Sequence, residues 1–148
     1  MYLPDLRGTS GVEGDLKIKH EANTYIAIGP ESVGKTTLCN QLASRLKLAQ
    51  VSEAARGYLE ARIRHSPLFE YKESDLLNIA QIQFAAETIS RNNSPPPIIC
   101  DTDLLVMIIW SEEKFGRVLP WITQTFLKQR EAGNRHYLLC HWDIPWQP

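Results

Sequence analysis

Residues Gly29-Pro30-Glu31-Ser32-Val33-Gly34-Lys35-Thr36-Thr37 fit the spacing G-x-x-x-x-G-K-[ST]. In that pattern consecutive backbone N–H groups wrap the β- and γ-phosphates of a nucleoside triphosphate. The glycines let the chain turn tightly against the phosphates, Lys35 brings a positive charge to the β/γ oxygens, and the Thr36 hydroxyl can ligate Mg²⁺. These nine residues are therefore the predicted nucleotide-binding set, for a triphosphate whose base the loop does not specify, with Mg²⁺ as cofactor.

Three further groups could serve a reaction at that phosphate. Asp101 ends the apolar run Ile98-Ile99-Cys100, where P-loop NTPases keep the acid that holds Mg²⁺; the competing reading is a helix N-cap. Asp103 precedes Leu104 and Leu105, so capping and ligation are both open to it. Glu53 and Arg56 lie three apart and share a helix face. Transfer to an alcohol needs a carboxylate to take the hydroxyl proton and a cation to orient phosphates, which makes Glu53 the candidate base; a solvated helix ion pair is the alternative. Tyr58, Trp110, Trp142 and Trp146 could stack on a flat ring or simply pack in a core.

The elements that would position these groups alternate. A β-rich strand over 24–28 precedes the loop, and Leu38, Leu42 and Leu46 recur at helical spacing after it. A short strand near 49–52 follows, then a helix over 53–62 and a loop over 65–72 containing Pro67. Ser74 is the expected N-cap of a long helix running through Ile79, Ile82 and Ile89 to about Arg91, with Asp75 in its first turn, and Asn92-Asn93-Ser94-Pro95 stops it. After the strand over 98–101, Leu104, Leu105, Ile108 and Ile109 mark a helix ended by Gly116. Pro120 opens another helix reaching about Ala132, and 136–140 form a fourth strand. Strands alternating with helices predict an α/β, mostly parallel sheet that binds ligands beyond its strand carboxyl ends.

Composition narrows the partners. The 148 residues suit one domain, and a net charge of -1 offers no basic field for nucleic acid or an anionic membrane. A small-molecule partner in the cytoplasm is expected, since no apolar run is long enough to span a bilayer. Cys39, Cys100 and Cys140 are too widely spaced for a zinc or redox motif and read as buried small hydrophobes. The four histidines have no metal-ligand spacing. Residues 1–22, with Gly8, Gly11 and Gly14, read as a flexible leader to a P-loop domain over 23–148.

With these residues placed, the chain resembles the ribosylnicotinamide kinase-type P-loop domain of the bacterial bifunctional NAD-biosynthesis and regulator proteins (NadR-like). The segments that carry the resemblance are 29–37, Glu53-Ala54-Ala55-Arg56-Gly57-Tyr58-Leu59-Glu60, 100–105, Trp110-Ser111-Glu112-Glu113-Lys114-Phe115-Gly116 and Asp143-Ile144-Pro145-Trp146-Gln147-Pro148. The resemblance implies a P-loop NTPase three-layer sandwich and ATP-dependent phosphorylation of the 5′-hydroxyl of nicotinamide riboside. Lys35 would hold the transferring phosphate, Thr36 and Asp101 the Mg²⁺, and Glu53 or Asp103 the acceptor hydroxyl. Arg56, Tyr58 and Trp110 would form the substrate wall. Similar domains continue into an arginine-bearing lid and a fifth strand, so the expectation is a domain missing its last strand and lid. A nucleotide-binding regulatory module, or an inactive fragment, is the alternative reading.

Overall fold

The computed structural model describes residues 24–141. The proposed leader over 1–22, and the segment 142–148 with Trp142 and Trp146, lie outside the described residues. Five helices and four strands follow one another as β1 (Thr24–Ile28), α1 (Lys35–Leu46), β2 (Ala49–Val51), α2 (Ala54–His65), α3 (Glu73–Asn93), β3 (Ile98–Asp101), α4 (Leu104–Phe115), α5 (Pro120–Glu131) and β4 (Arg135–Leu139).

The strands form one parallel sheet in the order β2-β3-β1-β4. The chain leaves β1 for β2 on one side and later crosses β1 to reach β4 on the other. Connections therefore diverge at the carboxyl end of β1, the kind of switch point where open α/β sheets take ligands.

Alternation along the strands builds the layers. Ala27 and Ile99 meet Cys39, Leu42 and Ala43 of α1 on one face. Ile26, Ile98 and Cys100 face the other side with Val51 and Ala86 of α3. The stripe that buries α1 is centred on Cys39, one residue round from the Leu38-Leu42-Leu46 line that periodicity suggested. Beneath the second face, α2, α3, α4 and α5 pack around Ala55, Leu76, Ile79, Leu104, Met107 and Ile122.

Two helix readings shift. The start of α3 is capped at Lys72, whose N–H donates to Asp75 Oδ2 at 2.8 Å while Asp75 N–H donates to the Lys72 carbonyl at 3.0 Å; Ser74 lies inside the helix. Ile82, Ile89 and Ile109 stay exposed, because Gln83 and Glu87 on α3 and Ser111 on α4 occupy the buried positions instead. Polar groups win those positions where they have partners: Gln83 Oε1 accepts the Ala54 N–H at 2.8 Å.

Candidate nucleotide site

The phosphate loop is wound by three residues with positive φ: Gly29 at 146°, Ser32 at 60° and Gly34 at 81°. At Gly29 a side chain is excluded twice over, by this φ and by the Cys140 carbonyl oxygen, which would lie 2.6 Å from a Cβ. Val33 is buried under the loop and pins it to the domain. The loop runs into α1 through Gly34, which caps the helix without a side chain, and no acid stands in the first turn. Leading N–H groups of α1 are thus left to an anion. Lys35 Nζ donates to the carbonyls of Gly29 at 3.0 Å and Pro30 at 2.5 Å, which holds the ammonium over the loop.

β3 carries Asp101 to the same place. The Thr36 hydroxyl donates to Asp101 Oδ2 at 2.6 Å. Asp101 is buried, and its Oδ1 has no hydrogen-bond partner among the described residues. A hydroxyl beside a buried carboxylate with a spare oxygen is a hard, oxygen-rich donor set, and it fits Mg²⁺.

A cleft of about 750 Å³ opens over the loop. The phosphate loop and the start of α1 form its floor, with Glu31, Ser32, Gly34, Lys35, Thr36 and Thr37 exposed to it. α2 forms one wall through Glu53, Arg56, Leu59 and Glu60, and α4 contributes Trp110. Leu59 and Glu60 join the predicted set; Glu60 follows Arg56 by four residues, so a helical wheel drawn from Glu53 finds it.

Glu53 sits at the N-cap of α2 with its side chain 19% exposed and 3.9 Å from the Arg56 guanidinium, itself 66% exposed. Burial, and then the Asp101 charge, push the Glu53 carboxyl above the ordinary glutamate range, against the pull of Arg56 and Lys35. A carboxylate made more basic beside a phosphate cleft is suited to accept a proton.

Two candidates are not brought to the cleft. Tyr58 faces α3, where its hydroxyl donates to Asp75 Oδ1 at 2.7 Å and accepts from Asn78 Nδ2 at 3.1 Å. That bond and packing against the helical core occupy the ring and hydroxyl proposed for substrate.

Asp103 is 1% exposed, and both its oxygens are committed inside the protein. Oδ1 accepts the Leu105 N–H at 3.0 Å, capping α4, while Oδ2 accepts Arg135 Nη2 and the Tyr137 hydroxyl, each at 2.8 Å. A carboxylate buried among these partners is out of reach of an acceptor hydroxyl in the cleft, so the catalytic role read for Asp103 gives way to a structural one. Its partners Arg135 and Tyr137, and Glu87 on the far side of Arg135, were not singled out in the sequence, and nothing in their spacing marks them.

The thiols fit the reading of buried hydrophobes. Cys39 and Cys100 are fully buried and Cys140 partly so. Burial and then the Asp101 charge push the Cys39 thiol up to about 12, and burial raises Cys100 as well.

Among the described residues no helix is long and apolar enough to cross a membrane. No curated protein matches the sequence significantly. The solved structure of a NadR protein in complex with NR aligns with a TM-score of 0.61 at 22% identity, over 81% of this chain and 33% of that one. This chain thus spans about a third of the length of that NadR chain. A gluconokinase from Sinorhizobium meliloti 1021 aligns over 85% of this chain and 84% of its own at 12% identity, with a TM-score of 0.31. The likeness to that NadR chain shows a shared α/β fold. A family model for an AAA domain (AAA_28) matches residues 24–148, and the chain belongs to that family.

Proposed function

We propose that this chain is an ATP-binding small-molecule kinase domain that phosphorylates the hydroxyl of a nucleoside, with nicotinamide riboside as the acceptor. The observation that carries the reading is the Thr36–Asp101 contact of 2.6 Å under an uncapped helix start, with Thr36 lining a cleft that also holds Glu53 and Trp110. The NadR protein solved with NR supports the choice of acceptor.

In this proposal the loop amides and Lys35 grip the β- and γ-phosphates and stabilise the charge that spreads over the equatorial oxygens. Thr36 and Asp101 would hold Mg²⁺, which would supply positive charge against the charge developing on the phosphates. Glu53 takes the proton of the acceptor hydroxyl as its oxygen bonds to the γ-phosphorus; the bond to the β–γ bridging oxygen breaks, and ADP leaves with that electron pair. Arg56 steadies the Glu53 carboxylate and can meet acceptor or phosphate oxygens from the cleft wall. Trp110 offers a face for the flat base. Most of the rate enhancement is then positioning and charge stabilisation.

Incubating the chain with ATP, Mg²⁺ and nicotinamide riboside and measuring nicotinamide mononucleotide tests the reading. Product formation that disappears in Lys35→Ala is expected. ATP binding with no phosphorylated riboside would contradict the kinase assignment and favour a nucleotide-binding regulatory module.

A further inference from the structure

We propose that Asp103 is a positioning residue: the buried ion cluster that grips it fixes the backbone turn at Thr102 and thereby aims the Asp101 carboxylate at the metal side of the cleft. The inference rests on the reading of Asp101 given above and deepens it.

Thr102 separates the two acids, and its φ is 68°. A β-branched residue resists this left-handed conformation, so the turn exists only because its surroundings over-determine it. Three restraints do so. The Thr102 N–H donates to the Ala27 carbonyl at 3.1 Å, Asp101 is tied to Thr36, and Asp103 is tied to β4. Thr102 is itself only 2% exposed, so the turn cannot relax into solvent.

The third restraint exceeds what capping needs. Capping α4 uses Asp103 Oδ1 alone. Oδ2 is additionally held by Arg135, whose guanidinium also donates to Glu87 at 2.5 Å and 3.1 Å, and by Tyr137. The side chains of Arg135, Glu87 and Asp103 are 3%, 3% and 1% exposed. Arg91, 3.6 Å from Glu87 and bonded to Thr24, balances the cluster at two acids and two cations. Buried ions are a poor source of stability compared with apolar packing, and geometric specificity is their best-attested use. Here the geometry they specify lies one residue from the carboxylate that partners Thr36.

The test compares ATP affinity by titration calorimetry with Mg²⁺ and with EDTA, in the full chain and three variants. The readout is the ratio of the two affinities. Asp103→Asn keeps shape and cap but removes the charge that Arg135 grips; its ratio should fall roughly tenfold or more, as outer-shell substitutions at metal sites do, with affinity in EDTA unchanged. Tyr137→Phe changes no charge at a partly exposed position, and should lower the ratio in the same direction by less. Should Asp103→Asn fail to fold, Tyr137→Phe decides alone. A scaffold role without positioning would lower the melting temperature and leave the ratio unmoved, which would overturn the proposal. Asp101→Asn separates the two layers: a wild-type ratio there sinks the metal reading itself, whereas a collapsed ratio there with wild-type ratios in the other two sinks only the positioning role.

Discussion

The Thr36 hydroxyl and the Asp101 carboxylate meet at 2.6 Å across 65 residues of sequence, the first on α1 and the second at the end of β3. The contact exists because β3 lies beside β1 in the sheet, with Ala27 opposite Asp101 in register, so the phosphate loop and the acid leave adjacent strand ends.

Glu53→Gln should cut phosphoryl transfer by about 10²- to 10⁴-fold, the usual contribution of a positioned general base, without weakening ATP binding. Stability should move the other way. A carboxyl whose folded pKa lies above its unfolded value costs stability as pH rises through the window between the two. At neutral pH the glutamine variant should therefore melt no lower than wild type. A clear drop in melting temperature would show that the Glu53 charge supports the fold.

Asp75→Asn should destabilise the domain by about 1–3 kcal/mol in urea unfolding, since it weakens the α3 cap and the bond to Tyr58 together. Burial alone would raise the Asp75 carboxyl, but the Lys72 N–H, the Tyr58 hydroxyl and Arg62 hold it below the usual range. A depressed carboxyl contributes its stability above the unfolded pKa, near 4, and loses it as pH falls through the folded value. The gap between wild type and variant should accordingly shrink below about pH 4. A gap that is constant with pH would remove the charge from the explanation.

Arg135→Met should cost about 3–5 kcal/mol, because it strands Asp103 as a buried carboxylate with no cation and leaves Glu87 to Arg91 alone. Burial works against the Arg135 charge, yet the Glu87 bonds and the Asp103 charge keep it firmly protonated. Equilibrium unfolding measures the loss; a change under 1 kcal/mol would show the cluster to be energetically idle.

Native-state alkylation at pH 8 should modify Cys140 before Cys39 or Cys100. The last two are fully buried, and the Cys39 thiol is raised to about 12. Mass spectrometry of the digested protein locates the label. Rapid labelling of Cys39 in folded protein would contradict its packing against Ala27 and Ile99.

Local chemistry made much of this fold legible in the sequence. Gly29, Gly34 and Lys35 announce a phosphate loop by spacing, Pro120 starts α5, and Gly116 closes α4 with φ 66°. Asp101 is visible because an acid at the end of an apolar strand has few other uses. Long-range pairing is what sequence pattern does not carry. Asp103 looks the same beside Leu104 whether it faces a substrate or Arg135, and the deciding partner is 32 residues away. Ile82 reads as core by hydropathy, yet Gln83 and Glu87 take the buried face of α3, where the Ala54 N–H and Arg135 are their hydrogen-bond partners. Tyr58 was likewise drawn to Asp75 by a helix pairing that no local period reveals.

The central claim is that the loop over 29–37 and Asp101 form one nucleotide site. Its most direct test is ATP titration with Mg²⁺ into the wild-type chain and into Lys35→Ala, with circular dichroism confirming that both are folded. Saturable binding in the wild type and a loss of at least about tenfold in the variant are predicted, since a charge-assisted contact to phosphate contributes on the order of 1.5–3 kcal/mol. Equal affinity in the two proteins, or no binding to either, would contradict the account.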